Sequence, residues 1–354
     1  MKPNTLSQTE MLYKQLGQNG PLVSRLSLGT MTFGAETDEA EAFRQLDYFA
    51  DYGGTFIDTA DVYSAGASEE IIGRWIAKRG GLGNMILATK GRFAPPAGSY
   101  GGSRRAIVKA LEASLKRLQV EAIDVYYMHG WDIHTDIAET VSTLGDLIRT
   151  GKIHHIAWSN VSGWQIQKIV STCDQLGVAR PVAVQPQYNL LDRGIEIEVL
   201  PCSLDNGIAL APWSPLGGGW LTGKYNRQTQ PSGNTRLGED PSRGVEAYDK
   251  RNTDKTYKVL DVLETIAVQH KRPMSHVALA WLLSRPSVAT LLIGARTLAQ
   301  LQDNLESISL RLEDKDIHSL TQVSAPGLPE YPYQFLSDWS GMPIWDELGT
   351  KVTR

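Results

Sequence analysis

Cysteine is almost absent from this chain: Cys173 and Cys202 are the only two among 354 residues. Two cysteines cannot build a disulfide framework, and their scarcity suits a reducing compartment. Neither sign of charge is in excess, the formal net charge being -4. No run of lysine or arginine gives the electrostatic footprint of a nucleic-acid or anionic-lipid binder, so a small-molecule partner is expected. No stretch reaches the roughly 18 uninterrupted apolar residues of a membrane span. Residues 1–15 also lack the apolar centre of a signal peptide. The expectation is a soluble, cytoplasmic protein with neither a nucleic-acid nor a membrane partner.

What the chain has in quantity is alternation of short apolar runs with helical patterns. Runs at 25–31, 55–58, 85–89, 123–128, 153–158, 182–185, 208–212 and 289–293 read as strands. They are apolar throughout, as strands covered on both faces are. A helix opened by Thr37-Asp38-Glu39 and stopped by Gly53-Gly54 follows the first run. Further helices are expected at 68–79, 103–118, 137–150, 163–176, 194–206, 253–270 with 275–284, and 297–306. The third carries Ile107, Leu111, Leu115 and Leu118 at helical spacing. Ahead of the series, Asn19-Gly20 between Met11-Leu12-Tyr13 and Leu22-Val23-Ser24 predicts a two-stranded ribbon that plugs one end. Eight strand–helix units without a linker predict an α/β fold, a (β/α)8 TIM barrel forming one domain over 1–354. Its variable parts are a long loop, 224–252, after the seventh strand and a C-terminal tail, 323–354. A doubly wound sheet is the competing fold, but it usually has fewer strands and a glycine-rich first turn.

In such a barrel the chemistry sits at the carboxyl ends of the strands. Asp58 and Tyr63 leave the second strand together, Lys90 ends the third and His129 the fourth. A strand-end aspartate is often only a turn cap, and a lone histidine is more often structural. A lysine emerging at a barrel mouth, however, calls for a counter-charge, which Asp58 supplies. The chemistry that unites the four is proton donation to a carbonyl: a phenol of pKa about 10 becomes a better acid beside an ammonium. The hydride then has to come from a cofactor. Ser159, Asn160 and Gln185 follow the fifth and sixth strands with groups that bond a carboxamide. Trp213 offers a flat face, with a core role as the alternative. The run Pro215-Leu216-Gly217-Gly218-Gly219-Trp220-Leu221-Thr222-Gly223-Lys224 has P-loop-like spacing but Tyr225 in place of Ser or Thr, so it suits a pyrophosphate cradle rather than nucleotide hydrolysis. Gly294-Ala295-Arg296-Thr297 opens a helix whose N-terminus and arginine suit a phosphate. Adjacent His154 and His155 point to opposite faces, and no metal is expected.

These residues resemble the aldo-keto reductase superfamily along nearly the whole chain. The match comprises Gly29-Thr30-Met31, Asp58-Thr59-Ala60 with Tyr63, Ala88-Thr89-Lys90, His129, Ser159-Asn160, Gln185, Trp213-Ser214-Pro215-Leu216-Gly217, and Ile293-Gly294-Ala295-Arg296-Thr297 with Gln300, Asp303 and Asn304. It is closest to the longer-loop branch, with aryl-alcohol dehydrogenase-like and potassium-channel β-subunit-like members. The resemblance implies an NADPH-dependent carbonyl reductase in which Tyr63 is the general acid, assisted by Lys90 and Asp58, with His129 lining the oxyanion site. It also implies nicotinamide stacking on Trp213, where many members carry Tyr, and carboxamide contacts from Ser159, Asn160 and Gln185. Lys224 would approach the pyrophosphate, and Arg296, Thr297, Gln300 and Asn304 the adenosine phosphate. The alternative is a regulatory subunit that binds NADP(H) with little turnover. Met31, Phe33, Tyr63, His129 and Trp131 are the expected pocket walls. Tyr331, Tyr333, Phe335, Trp339 and Trp345 either line a pocket or dock on the barrel or on a second copy, docking being favoured. The substrate, the direction of reaction and the oligomeric state are not encoded in any spacing we recognise.

Overall fold

The structure is a computed structural model, described here for residues 10–93, 100–225, 227–228, 230–233, 235–242 and 244–340. Ten strands occur among these residues: β1 Tyr13–Gln15, β2 Leu22–Ser24, β3 Leu26–Gly29, β4 Phe56–Asp58, β5 Ile86–Gly91, β6 Ile123–Met128, β7 Ile153–Ser159, β8 Ala183–Gln185, β9 Ala209–Leu210 and β10 Leu291–Gly294. β3 to β10 form one parallel sheet in the order β10-β3-β4-β5-β6-β7-β8-β9. It closes through a parallel bridge between Leu210 and Val288, where the Ala289 amide donates to the Leu210 carbonyl at 2.9 Å. Helices follow the strands, giving the (β/α)8 barrel that the apolar runs predict.

Strand alternation decides what the barrel encloses, because successive side chains point to opposite faces. Phe56, Ala88, Val125, Tyr127, Ala157, Ala183, Ala209 and Ala289 form the inner cluster. Leu28, Ile57, Leu87, Tyr126, Ile156, Trp158, Val184 and Leu210 pack in the outer core shared with the helices. Counting on by two from the inner residues puts Asp58, Lys90, His129, Ser159 and Gln185 on the inner face. The same parity sends Thr89 outward, where its hydroxyl donates to Glu69 at 2.5 Å.

The β1–β2 ribbon closes the opposite end. Leu16 and Val23 are fully buried and complete the inner cluster. The Gln18 amide donates to the Gly207 carbonyl at 3.0 Å, and Lys14 Nζ reaches the Pro286 and Val288 carbonyls at 2.6 and 3.1 Å. The turn differs from the two-residue Asn19-Gly20 type. Leu16 pairs back to Pro21, and the left-handed position is taken by Gly17, with φ 72°, not by Gly20.

Most helices start at their expected caps: Asp38 accepts from the Glu41 amide at 2.9 Å, and Ser103 and Thr297 cap Arg104–Leu118 and Leu298–Glu306. One expected helix, 194–206, is broken into a short 3-10 turn, Gly194–Glu196, and a helix Val199–Asp205. Pro201 explains the break: it is tolerated in a first turn but would lie inside a helix begun at 194. A further helix, Asp314–Val323, was not expected from the sequence.

The ribbon gives a direct test of the plug. Leu16→Ala should lower the unfolding free energy by about 2–5 kcal/mol, the usual cost of a core leucine truncation, in chemical denaturation. A change within error would show that the ribbon is dispensable to the barrel core.

Candidate active site

The four residues expected to act together do meet at the carboxyl rim. Lys90 is completely buried on β5, and its ammonium bonds the Asp58 carboxylate, the Thr59 carbonyl at 2.8 Å and the Tyr63 hydroxyl at 3.3 Å. The second Asp58 oxygen accepts from Gln185 Nε2 at 2.9 Å. β8 lies four places from β4 around the barrel, so this bond crosses the barrel mouth. The His129 ring stands edge-on to the Tyr63 ring, with centroids 6.0 Å apart, and Phe93 covers its other side at 5.0 Å. Backbone strain collects at this rim. Five of the seven non-glycine residues with left-handed φ among the described residues, Ser64, Ala65, Arg92, Asn160 and Ser214, follow strand ends there. Ser64 is held by its hydroxyl, which donates to the Phe33 carbonyl at 2.8 Å. Such conformations persist only where surrounding contacts fix them.

Charge in the site follows from burial. Desolvation disfavours the Lys90 ammonium, but the Asp58 carboxylate beside it wins and its pKa stays above the ordinary lysine value. Desolvation also pushes Asp58 up against the pull of Lys90 and Gln185. Its ionised form is nevertheless clear from geometry, since both oxygens accept N–H bonds. Tyr63 departs from expectation: burial raises its pKa by more than the Lys90 ammonium lowers it, so the phenol lies above, not below, its usual value. His129 falls to about 3 through burial and the nearby Lys90 and Arg92 charges, and is therefore neutral. Its Nδ1 is buried with no hydrogen-bond partner among the described residues.

The expected cofactor residues lie on the opposite side of the rim. Ser159 Oγ donates to the Gln185 carbonyl at 2.8 Å. The Asn160 amide donates to the His129 carbonyl at 3.1 Å and accepts from Trp213 Nε1 at 3.0 Å. Gly29 and Thr30 are tied into the barrel, the Thr30 hydroxyl donating to the Asp58 carbonyl at 3.0 Å. After β9, Ser214-Pro215-Leu216 leads into Gly217, Gly218 and Gly219, whose φ values of 57°, 63° and 97° turn the backbone in a way only glycine adopts without strain. Lys224 lies over this turn, its pKa lowered by partial burial and by the Arg296 charge. After β10, Gly294 is exposed and the Arg296 amide donates to Gln300 at 2.9 Å. Thr297 caps the helix that also carries Asp303 and the buried Asn304. A left-handed glycine turn, a lysine over it, and an arginine beside a helix start together fit a dinucleotide with two anionic groups. Among the described residues, no cluster of His, Cys, Asp or Glu suits a metal ion.

The expected pocket walls divide. Met31 is partly exposed and Trp131 packs edge-on against Trp164 at 5.4 Å, both at the mouth. Phe33 instead is fully buried among the outer-core residues. In the tail, Tyr331, Phe335 and Trp339 stack in series at 5.8 and 5.6 Å and stay exposed, while the Tyr333 hydroxyl donates to Glu198. Trp345 lies outside the described residues. Four groups at the rim carried no signal in the sequence: Phe93 and Trp164, which widen the aromatic wall, and Arg236 and Glu246 from the long loop. Arg236 acts on Tyr63 through its charge and lies 3.5 Å from Glu246.

Comparison with known proteins gives the family. The model of the aldo/keto reductase family matches residues 25–325. An uncharacterized oxidoreductase, YrpG, of Bacillus subtilis is 35% identical over 329 residues, covering 90% of this chain and 97% of that protein. A probable voltage-gated potassium channel subunit beta of Arabidopsis thaliana is 35% identical, covering 85% of this chain and 92% of its own length. Norsolorinic acid reductase B of Dothistroma septosporum is 31% identical over 94% of this chain and 86% of that protein. The chain belongs to the aldo/keto reductase family, and is an oxidoreductase that acts with a nicotinamide cofactor on small carbonyl compounds. Among the described residues no helix is long and apolar enough to cross a membrane.

One acid behind the site has no evident part in its chemistry. Asp61 is buried, neither oxygen has a hydrogen-bond partner among the described residues, and its pKa is raised to about 7 by burial and by Glu69, against Arg117. A raised folded pKa means stability present below the unfolded value of about 4 and lost as pH climbs through the folded value. Asp61→Asn should therefore melt higher than the parent at pH 8, and the two should converge near pH 4. An equal difference at both pH values would exclude Asp61 as the titrating group.

Proposed function

We propose that this protein reduces an aldehyde or ketone to the alcohol with NADPH, Tyr63 delivering the proton to the carbonyl oxygen. The observation that carries this reading is the ammonium of Lys90, 3.3 Å from the Tyr63 hydroxyl inside a buried network. The bound cofactor supplies the hydride, which no side chain can. Tyr63 oxygen accepts from Lys90, so its own proton is left for the substrate. As that proton leaves, Lys90 stabilises the phenolate by a charge already in position. Asp58 keeps Lys90 ionised and Gln185 holds Asp58 in place. Neutral His129 orients the carbonyl oxygen through a ring nitrogen. Trp213, Ser159, Asn160 and Gln185 are assigned to the nicotinamide, Gly217 to Gly219 with Lys224 to the pyrophosphate, and Arg296, Thr297, Gln300 and Asn304 to the adenosine phosphate. Met31, Phe93, Trp131 and Trp164 form an aromatic-rich entrance that suits aryl carbonyls. The chain is read as one domain acting in the cytoplasm, in keeping with its two unpaired cysteines.

A second reading, an NADP(H)-binding regulatory subunit, draws on the relative named as a potassium channel subunit and on the exposed Tyr331-Phe335-Trp339 ridge. It ranks below the enzyme because Asp58, Tyr63, Lys90 and His129 are all in place, and a regulator has no need of them. NADPH oxidation with an aryl aldehyde, a short aldehyde, a dicarbonyl and a bulky ketone separates the two. Tight NADPH binding with no turnover on any of them would favour the regulator.

General acid catalysis contributes about 10²–10⁴-fold. Tyr63→Phe should therefore lower kcat by that order while leaving the NADPH dissociation constant within about two-fold; unchanged turnover would remove Tyr63 from the mechanism. A charge-assisted hydrogen bond of roughly 1.5–3 kcal/mol corresponds to roughly ten- to hundred-fold in affinity. Arg296→Ala should reduce a preference for NADPH over NADH of that size, measured as a ratio of dissociation constants. Equal affinity for the two cofactors in the parent protein would defeat the assignment of Arg296.

A further inference from the structure

The segment between the glycine turn and the helix Asp254–His270 brings carboxylates to both groups suited to hold anions. Glu239, at the end of the short helix Arg236–Glu239, takes the guanidinium of Arg296 as a two-point pair, Nη1 to Oε1 at 2.6 Å and Nη2 to Oε2 at 2.8 Å. Glu36 stands 3.5 Å from Nη2 of the same arginine. Beside them a cleft of about 570 Å3 is lined by Glu36, Thr37, Arg44, Arg296, Thr297 and Leu298 among others. On the glycine turn, Glu246 accepts from the Ser214 hydroxyl, which itself accepts from the Gly218 amide at 3.3 Å. A Cβ at Gly218 would lie 2.2 Å from the Glu246 carboxylate. One loop thus covers the arginine fork and the glycine cradle with a carboxylate each.

A planar guanidinium offers the same paired donors to a carboxylate and to a phosphate. An anion that arrives at Arg296 finds those donors taken and two negative charges close by. The competitor is built into the chain.

We propose that Glu239 is a specificity-determining residue, which holds the Arg296 fork in the free protein and competes there with the 2′-phosphate of the cofactor. The inference rests on Arg296 being the group that reads that phosphate. Binding of NADPH then exchanges one anion for another, whereas NADH brings no anion to the fork and leaves the Glu239–Arg296 pair intact. The pair narrows the preference for NADPH below what an unengaged arginine would give. Glu246 has no part in the discrimination, since the pyrophosphate is common to both cofactors.

The test is calorimetric titration of the full chain with NADPH and with NADH at fixed ionic strength. Glu239 is partly exposed, its side chain retaining 43% of its accessible surface, so Glu239→Gln should fold. It should tighten NADPH roughly two- to five-fold, the range a partly exposed ion pair allows, and shift NADH by less than about two-fold. In an Arg296→Ala background the same change should do nothing to NADPH, because the contested donors are gone. Unchanged or weaker NADPH binding in Glu239→Gln overturns the proposal. So does equal tightening of both cofactors, which is the mark of a general loss of negative charge. Arg296→Ala alone separates the two levels of failure. If it leaves the NADPH to NADH ratio untouched, the phosphate assignment falls and the proposal with it. If it collapses the ratio while Glu239→Gln does not raise it, Arg296 reads the phosphate without competition.

Discussion

A lysine ammonium with no access to water is the constraint on which the rim of this barrel depends. An ammonium has three donors and no acceptor, and Lys90 spends all three, on Asp58, the Thr59 carbonyl and Tyr63. Each acceptor belongs to β4 or to the turn that follows it, so the lysine of β5 fixes the chain from Asp58 to Tyr63. A buried ion pair costs desolvation and repays it only when the remaining polar valences are filled. Asp58 meets that condition by reaching across the barrel mouth to Gln185. Three strand ends could vary independently in a looser site. Here β4, β5 and β8 cannot move apart without stranding a charge in a dry cavity.

The same network sets which proton is available. Because the Tyr63 oxygen is an acceptor toward Lys90, its hydrogen is directed away from the lysine. Burial holds the phenol protonated above its ordinary range, which is the form that the proposed reduction consumes. In the proposed reduction the nearby ammonium acts on the phenolate that forms as the proton leaves, offsetting part of the desolvation that burial imposes on that charge. Neutral His129 adds polarity without a second positive charge, which would oppose Lys90.

Much of this was legible in the sequence because strand parity is simple. An apolar run ending in Asp58, Lys90, His129 or Gln185 reports the end of a covered strand, and alternation carries each side chain to the inner face. Phe33 shows where that logic stops: beyond a strand end the chain has left the pleat, and nearness in sequence to Met31 does not give direction. Pro201 could have been read against a helix over 194–206, since its position relative to the helix start was the deciding fact. The glycine at the hairpin turn was misplaced because two glycines, Gly17 and Gly20, compete within four residues and only one takes the left-handed conformation. The long loop was illegible for another reason. Glu239 and Glu246 act through side chains that meet Arg296 and Ser214, and Arg236 acts on Tyr63 through its charge, all residues far away in the chain, and no local period encodes such pairs.

This difference in legibility follows a physical division of the rim. On the β4–β6 side the polar groups are buried, and hydrogen bonds join Asp58, Lys90 and Tyr63, so side chains there are set by barrel geometry. On the β9–β10 side lie groups suited to anions: a glycine turn with left-handed backbone, Lys224 and the Arg296 guanidinium. Such groups cannot be satisfied by the barrel alone, because a site shaped for phosphate has unfilled donors whenever phosphate is elsewhere. Carboxylates on an adjacent loop fill them at the cost of competing with the ligand. A loop that meets the arginine through a partly exposed charged side chain, Glu239, can exchange partners without breaking a hydrophobic core. The reacting side has no such freedom, because there the unpaired charge would be buried.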